Sequence, residues 1–256
     1  MKLLLDVGNS QLKWAVLSGG SLRPGGRLAH AGVDPETLMR AAWPGDQPPR
    51  AVVASNVAGD GVAERIREGA RALWGIDPVF LSAAREGYGL RCAYARPERL
   101  GADRWAAMLG AWHRVPGVQG HNACVLDCGT AVTVDAISAD GRHLGGLIAP
   151  GVALMREALH TSTSDLAELW RAGEEPAGLE VLAGDTRGAI EAGLHACLVG
   201  LAERVVRELA RAWSDDFLLV ATGGDGALVR PWLPPGHRFV PDLVLEGLAV
   251  VARALP

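Results

Sequence analysis

Apolar residues come in short blocks early in the chain and in helical stripes later. Leu3, Leu4 and Leu5 form an unbroken run, and Trp14 to Leu17 form another, so strands are predicted over 2–6 and 11–17. A third strand is expected over 26–32, after the glycine-rich connection SGGSLRPGG. A short helix over 35–42 ends before WPGDQPPR, a loop by composition. RAVVASNVAG reads as a strand with Ser55 and Asn56 at its end, GVAERIREGARALWG as a helix and DPVFLSA as a strand again. That order is an α/β unit with a partly parallel sheet. A helix over about 102–113 carries Trp105, Met108, Leu109 and Trp112 on one face, and RVPGVQGHN places a domain boundary near 114–122. The second half opens with the strands ACVLDCG, AVTVDAIS and GRHLGGLIAPG. A helix over about 184–213 follows, striped by Ile190, Leu194, Cys197, Leu198, Leu201, Val205 and Leu209. The stripe is wide enough for core alone or for core plus a subunit interface. FLLVATGGDGALV reads as strand, glycine turn and helix start, and VLEGLAVVARAL as a closing apolar helix.

Composition narrows the partners. The 256 residues suffice for two domains, and 49% hydrophobic with 21% charged residues is ordinary for a globular chain. The net charge of −4, with no Lys/Arg block and only Lys2 and Lys13 as lysines, argues against nucleic acid. Asp6 interrupts the first apolar run too early for a signal peptide, and no run reaches the length of a membrane span, so a cytoplasmic protein without membrane contact is expected. Cys92, Cys124, Cys128 and Cys197 do not make a secreted disulfide framework, and Cys124 and Cys128 lack a second ligand pair for zinc. They are expected to be reduced, partly buried thiols.

A repeat raises the candidate chemistry. LLLDVGNSQLKWAV (3–16) aligns with CVLDCGTAVTVDAI (124–137), Asp6 on Asp127, Gly8 on Gly129 and Asn9 on Thr130. One Asp-x-Gly turn between two strands is what any hairpin prefers. Two copies 121 residues apart, nearly half the chain, indicate duplicated domains with equivalent turns. Such a turn lets backbone N–H groups approach an anion, and its small polar side chains add donors. Its aspartate can hold Mg²⁺ directly or through water while the metal bridges to phosphates. Two such turns would grip the phosphate chain of a nucleotide. Thr222-Gly223-Gly224-Asp225, between a buried strand and a helix, is either an ordinary β–α turn or a third nucleotide contact. No GxxxxGK[ST] loop occurs.

These motifs resemble the acetate and sugar kinase/Hsp70/actin superfamily and, more specifically, the type III pantothenate kinases, which include the Bvg accessory factor relatives. DVGNS (6–10) resembles the first phosphate turn of that family, YARPERLGADR (94–104) its Tyr-x-x-Pro…Gly-Ala-Asp-Arg segment and DCGTAVTVD (127–135) its second phosphate turn. GGLIAPGVALMREAL (145–159), GDTRGAIEAG (184–193) and TGGDG follow in the family's order. The resemblance implies an α/β fold of two tandem, duplicated ribonuclease H-like (actin-like ATPase) domains, 1–115 and 116–256, with a mixed β-sheet in each. It also implies ATP-dependent phosphorylation of pantothenate to 4′-phosphopantothenate in coenzyme A biosynthesis, by a homodimer that uses Mg²⁺ with ATP and a monovalent cation, K⁺ or NH₄⁺.

Carried over by position, Asp6, Val7, Gly8, Asn9, Ser10, Gln11, Leu12 and Lys13 line the ATP phosphates, with Asp6 toward Mg²⁺. Thr130, Gly223 and Gly224 also bind ATP. Tyr94, Gly101, Ala102, Asp103, Arg104 and Thr186 contact pantothenate, Asp103 is the base and Asp127 binds the monovalent cation. Ser10 stands where the family commonly has threonine, and HTSTSDLAELW departs from its usual segment, leaving 160–180 without a role.

Each residue has a plainer reading. Asp103 sits where a helix dipole favours any acid, Arg104 suits either solvent or an anionic partner, Tyr94 could simply pack, and Thr186 could cap its helix. Two rival functions remain open at this point. One is a non-catalytic regulator of the accessory-factor type that keeps the fold, and the other is a related kinase for another small hydroxy acid.

Overall fold

The first apolar run becomes the central strand of a sheet in the computed structural model, which describes residues 1–162, 182–214 and 216–256. From residue 163 on, segment 160–180 lies outside the described residues. The strands are β1 (Lys2–Val7), β2 (Gln11–Ser18), β3 (Ser21–Ala29), β4 (Val52–Asn56), β5 (Val79–Phe80), β6 (Glu86–Gly87), β7 (Leu90–Arg91), β8 (Ala123–Cys128), β9 (Ala131–Ile137), β10 (His143–Pro150), β11 (Leu218–Thr222) and β12 (Arg238–Phe239). The described helices are α1 (Pro35–Ala42), α2 (Asp60–Trp74), α3 (Ala102–Arg114), α4 (Val152–Ser162), α5 (Thr186–Ala212), α6 (Gly226–Val229) and α7 (Leu243–Ala254). The chain divides into two compact units, Met1–Val125 with Asp135–Gly146 and Asp242–Pro256, and Leu126–Val134 with Leu147–Pro241.

The first unit holds a mixed sheet in the order β3-β2-β1-β4-β5, β1 antiparallel to β2 and parallel to β4. Leu3, Leu4 and Leu5 are fully buried because both faces of this central strand are covered, which is why the run does not alternate. Leu3, Leu5 and Val7 join Leu38, Met39 and Ile66 of α1 and α2 in one core cluster. By the two-residue period of a strand, Lys2, Leu4 and Asp6 point to the opposite face. Lys2 there donates from Nζ to the carbonyls of Ala252 (2.8 Å) and Leu255 (2.7 Å), an ammonium on the negative end of α7.

Helices α3 and α7 pack backbone to backbone. A Cβ on Gly110 would strike the Leu243 carbonyl, and one on Gly247 would overlap the Ala106 carbonyl. This close crossing buries Ala102 and every residue from Arg104 to Ala111 of α3.

Pairing differs from the expected third strand, since β3 begins at Ser21 and absorbs most of the glycine-rich connection. The reason is Trp14. Its ring lies against Gly25 and Gly26, and a Cβ on Gly26 would come within 2.7 Å of it, so the small residues are strand positions shaped to an indole. Pro24 is tolerated because β3 is an edge strand. The hairpin β6–β7 was not foreseen; its turn uses positive φ at Tyr88 and Gly89.

The second sheet, in the order β10-β9-β8-β11-β12, repeats the first strand for strand, as the repeated Asp-x-Gly turns led one to expect. In the second unit α4 is tied to α5 by Arg156, which pairs bidentately with Glu191 (2.8 and 2.7 Å). Of the expected α5 stripe, Leu194 and Leu198 are buried, Ile190, Leu201, Val205 and Leu209 are partly exposed, and Cys197 is exposed. The remaining cysteines are buried and all four are unbridged. No described helix is long and apolar enough to cross a membrane.

The α3–α7 contact predicts opposite outcomes for two glycines. Gly247→Ala forces these helices apart and should cost about 1–3 kcal/mol, read as a Tm several degrees lower. Gly193→Ala, on α5 with open space around it, should leave Tm unchanged or raise it slightly. Thermal denaturation of both variants checks this, and equal effects would contradict the close crossing.

Candidate active site

At the end of β1, Asp6 stands opposite Lys13 on β2 and accepts a hydrogen bond from Ser55 Oγ of β4 at 2.9 Å. Burial pushes its carboxyl up to about 6, with Ser55 and Lys13 pulling down and the Asp103 and Asp242 carboxylates pushing further up. The turn beyond closes on itself, Gly8 N donating to the Gln11 carbonyl (3.0 Å), while Asn9 and Ser10 are exposed at its tip. Neither Gly8 nor Gly129 needs a left-handed φ. What their glycines supply is room beside the turn. Val7 and Leu12, carried over as phosphate-site residues, have side chains in the core, so only their backbones are left for a ligand. His30, which the sequence reading missed, is buried and donates from Nε2 to the Gly8 carbonyl at 2.8 Å, anchoring the turn from behind.

The start of α3 brings four predicted residues together. Gly101 is its N-cap, and a Cβ there would meet Asp103 Oδ1 at 2.6 Å, so the glycine lets the carboxylate fold back over the helix end. Asp103 Oδ1 accepts the Arg104 N–H at 2.7 Å. Burial raises its pKa, opposed by that hydrogen bond and the Arg104 charge, and reinforced by Asp135. Arg104 is not the solvated charge of the plainer reading. Its side chain is 4% exposed and pairs with Asp135 on β9, Nε to Oδ2 at 2.9 Å and Nη2 to Oδ1 at 2.7 Å. Arg104 Nη1 also donates to Tyr94 Oη at 3.1 Å.

In the second unit the DCGT and TGGDG turns meet. Gly223 has φ +95° and lies so close to β8 that a Cβ would be 2.5 Å from Asp127 Oδ1. Asp225 N donates to the Cys128 carbonyl (2.9 Å), and Gly151 N donates to the Thr130 carbonyl (3.0 Å), placing the start of α4 on the same turn. Burial pushes the Cys128 thiol up to about 12, with the Asp127 and Asp225 carboxylates adding to the rise. Thr186 is the first residue of α5, but Asp185 is the cap, accepting from Gly188 N at 2.9 Å. Thr186 is exposed and belongs to this unit, whereas Tyr94 and Gly101 to Arg104 belong to the first.

Among the described residues no group of three His, Cys, Asp or Glu is set to cage a metal. Asp6, a single carboxylate with other acids in its field, suits Mg²⁺, which keeps waters and takes one or two carboxylates alongside phosphates.

A family model described as type III pantothenate kinase matches residues 2–208. The chain is similar to the type III pantothenate kinase of Nitrosococcus oceani, 39% identical over 254 residues, covering 99% of this chain and 94% of the relative. It is also similar to that of Burkholderia thailandensis, 39% identical over 267 residues and 98% of both chains. In fold it is similar to a ROK family glucokinase from Streptomyces griseus solved with glucose and AMPPNP, with TM-score 0.50, 15% identity, and 98% of this chain and 99% of that one covered.

The raised Asp6 pKa has a sign that can be measured. Without ligand the folded chain binds more protons than the unfolded chain between the ordinary 3.8 and about 6, so stability falls as pH rises through that window. Asp6→Asn should therefore raise the ligand-free Tm at about pH 7.5 by the equivalent of roughly 1–2 kcal/mol, and the gain should vanish below about pH 4. An unchanged Tm across that range would show that burying the carboxylate costs nothing.

Proposed function

The chain belongs to the type III pantothenate kinase family, and from that premise we propose that Asp103 is the base of the family reaction and that the glycine turns hold its nucleotide. The reaction is ATP-dependent phosphorylation of pantothenate to 4′-phosphopantothenate, the first step of coenzyme A biosynthesis. Asp103 accepts the proton of the primary hydroxyl as its oxygen bonds to the γ-phosphorus and ADP departs. A carboxylate whose pKa is raised by burial holds that proton more firmly than a solvated one. Arg104 has no acceptor atoms, and Tyr94 Oη already accepts from Arg104, so the pair offers only hydrogen-bond donors to a ligand. That suits the carboxylate and amide oxygens of pantothenate. Gly101 and Ala102 bring the backbone of the same turn against the substrate, and Thr186 adds a hydroxyl.

Asp6, Val7, Gly8, Asn9, Ser10, Gln11, Leu12 and Lys13, with Thr130, Gly223 and Gly224, bind ATP in this reading. Asp6 would hold Mg²⁺, directly or through water, and the metal when bound would neutralise charge on the transferring phosphoryl group. Asp127 binds the monovalent cation, K⁺ or NH₄⁺, in this reading, a role that rests on the motif it shares with the family. The half-covered stripe of α5 supports a homodimer, and the repeated strand order supports tandem duplicated halves at 1–115 and 116–256, although Asp135–Gly146 and Asp242–Pro256 of the second half belong to the first compact unit. The enzyme works in the cytoplasm.

The observation that carries the reading is the buried first turn of α3, where a desolvated carboxylate adjoins a cluster of fixed donors. The test is phosphorylation of pantothenate by purified protein with ATP and Mg²⁺, with and without K⁺. Asp103→Asn should lower kcat by about 10²–10⁴-fold with the fold retained by circular dichroism. A wild-type rate in that variant removes the base. Phosphorylation of another hydroxy acid alone would point to the related kinase, and no transfer to any acceptor would point to the regulator.

A further inference from the structure

Asp135 and His143 have no part in the assignments above, yet both are 2% exposed. Asp135 accepts three bonds, two from Arg104 and one from His143 Nε2 at 2.9 Å on Oδ1. A carboxylate only accepts, so His143 carries its proton on Nε2, and its Nδ1 is a buried atom with no hydrogen-bond partner. The imidazole stacks on Tyr94, ring centroids 5.9 Å apart at 23°. Tyr94 in turn accepts from Arg104 Nη1, and the guanidinium carbon lies 5.9 Å from the phenol centroid. Arg104, Asp135, His143 and Tyr94 thus form a closed circuit, each side chain in contact with the next, within the first unit.

Resting on the functional reading above, we propose that Asp135 and His143 are positioning residues that lock Arg104 and Tyr94 in the orientation that binds pantothenate. An arginine side chain has many rotamers, and a bidentate carboxylate fixes the plane of its guanidinium. The Asp135 pair and the bond to Tyr94 together leave two of the five Arg104 N–H groups, with the Tyr94 O–H, as the donors still free to meet a substrate oxygen. Asp135 itself can turn about its own torsions, and the His143 bond to Oδ1 is what stops it. A ring at position 143 that only stacked would keep the packing and lose that restraint.

The experiment compares His143→Phe and His143→Gln by steady-state kinetics for each substrate, with Tm measured alongside. His143→Phe should raise KM for pantothenate about tenfold, the loss of one hydrogen bond to a charged group, and leave KM for ATP unchanged. His143→Gln, whose amide can donate to the same oxygen, should recover most of the loss. A merely structural role would lower Tm and spare the split between the two KM values. An unchanged pantothenate KM in His143→Phe, equal shifts for both substrates, or no recovery in His143→Gln would overturn the proposal. Should His143→Phe fail to fold, His143→Gln decides, a near-wild-type pantothenate KM supporting the proposal and a raised one overturning it. A wild-type enzyme inactive on pantothenate would instead bring down the functional reading, and this inference with it.

Discussion

A guanidinium can leave water only if an anion goes with it and its donors are met. Arg104 does so at the start of α3, where Asp135 takes two of its five N–H groups along one edge and Tyr94 a third. Breaking such a pair by removing one partner typically costs about 3–5 kcal/mol, because a lone buried charge is left behind. The arrangement therefore fixes more than one side chain. It sets the first turn of α3, and with it the backbone on which Asp103 sits. The buried α3 turn also takes the Asp103 carboxylate out of water, which is what raises its pKa.

The central strand serves both stability and chemistry through its two-residue period. Leu3, Leu5 and Val7 face the α1–α2 layer, while Lys2, Leu4 and Asp6 face the other way. Lys2 closes the carbonyl end of α7, and the same alternation delivers Asp6 into the field of Asp103 and Asp242. Asp103 and Asp242 add to the burial that raises the Asp6 pKa, so the charged form of Asp6 is unfavourable in the folded chain without a ligand.

The second sheet uses the same strand order with different details. Its turn is backed by Gly223 and Gly151, whose missing side chains let three chain segments converge on Asp127, Gly129 and Thr130. Where the first turn is anchored from behind by a histidine, the second is anchored by backbone bonds from Asp225 and Gly151. Duplication preserved the scaffold, and each copy found its own way of holding the loop.

Much of this was legible beforehand. Unbroken Leu3–Leu5 marked a strand covered on both faces, and two Asp-x-Gly turns at half-chain spacing marked the repeated sheet, because these features depend on neighbours in sequence. GADR was legible as a helix start for the same reason. The strand through Pro24, Gly25 and Gly26 was not, since only the indole of Trp14 across the pair makes those residues acceptable there. Nor was Thr186 separable from its neighbour Asp185 as the cap, a choice made by side-chain direction. Asp135 and His143 stood in plain view within quoted motifs, yet their meeting with Arg104 and Tyr94 joins residues up to 49 positions apart. The sequence by itself determined most of the elements, the repeat and the family, because local pattern and motif order suffice for those. Which charges are buried, which acids share a field and which side chains contact Arg104 were decided only by the tertiary structure, because burial and electrostatics depend on distance through space rather than along the chain.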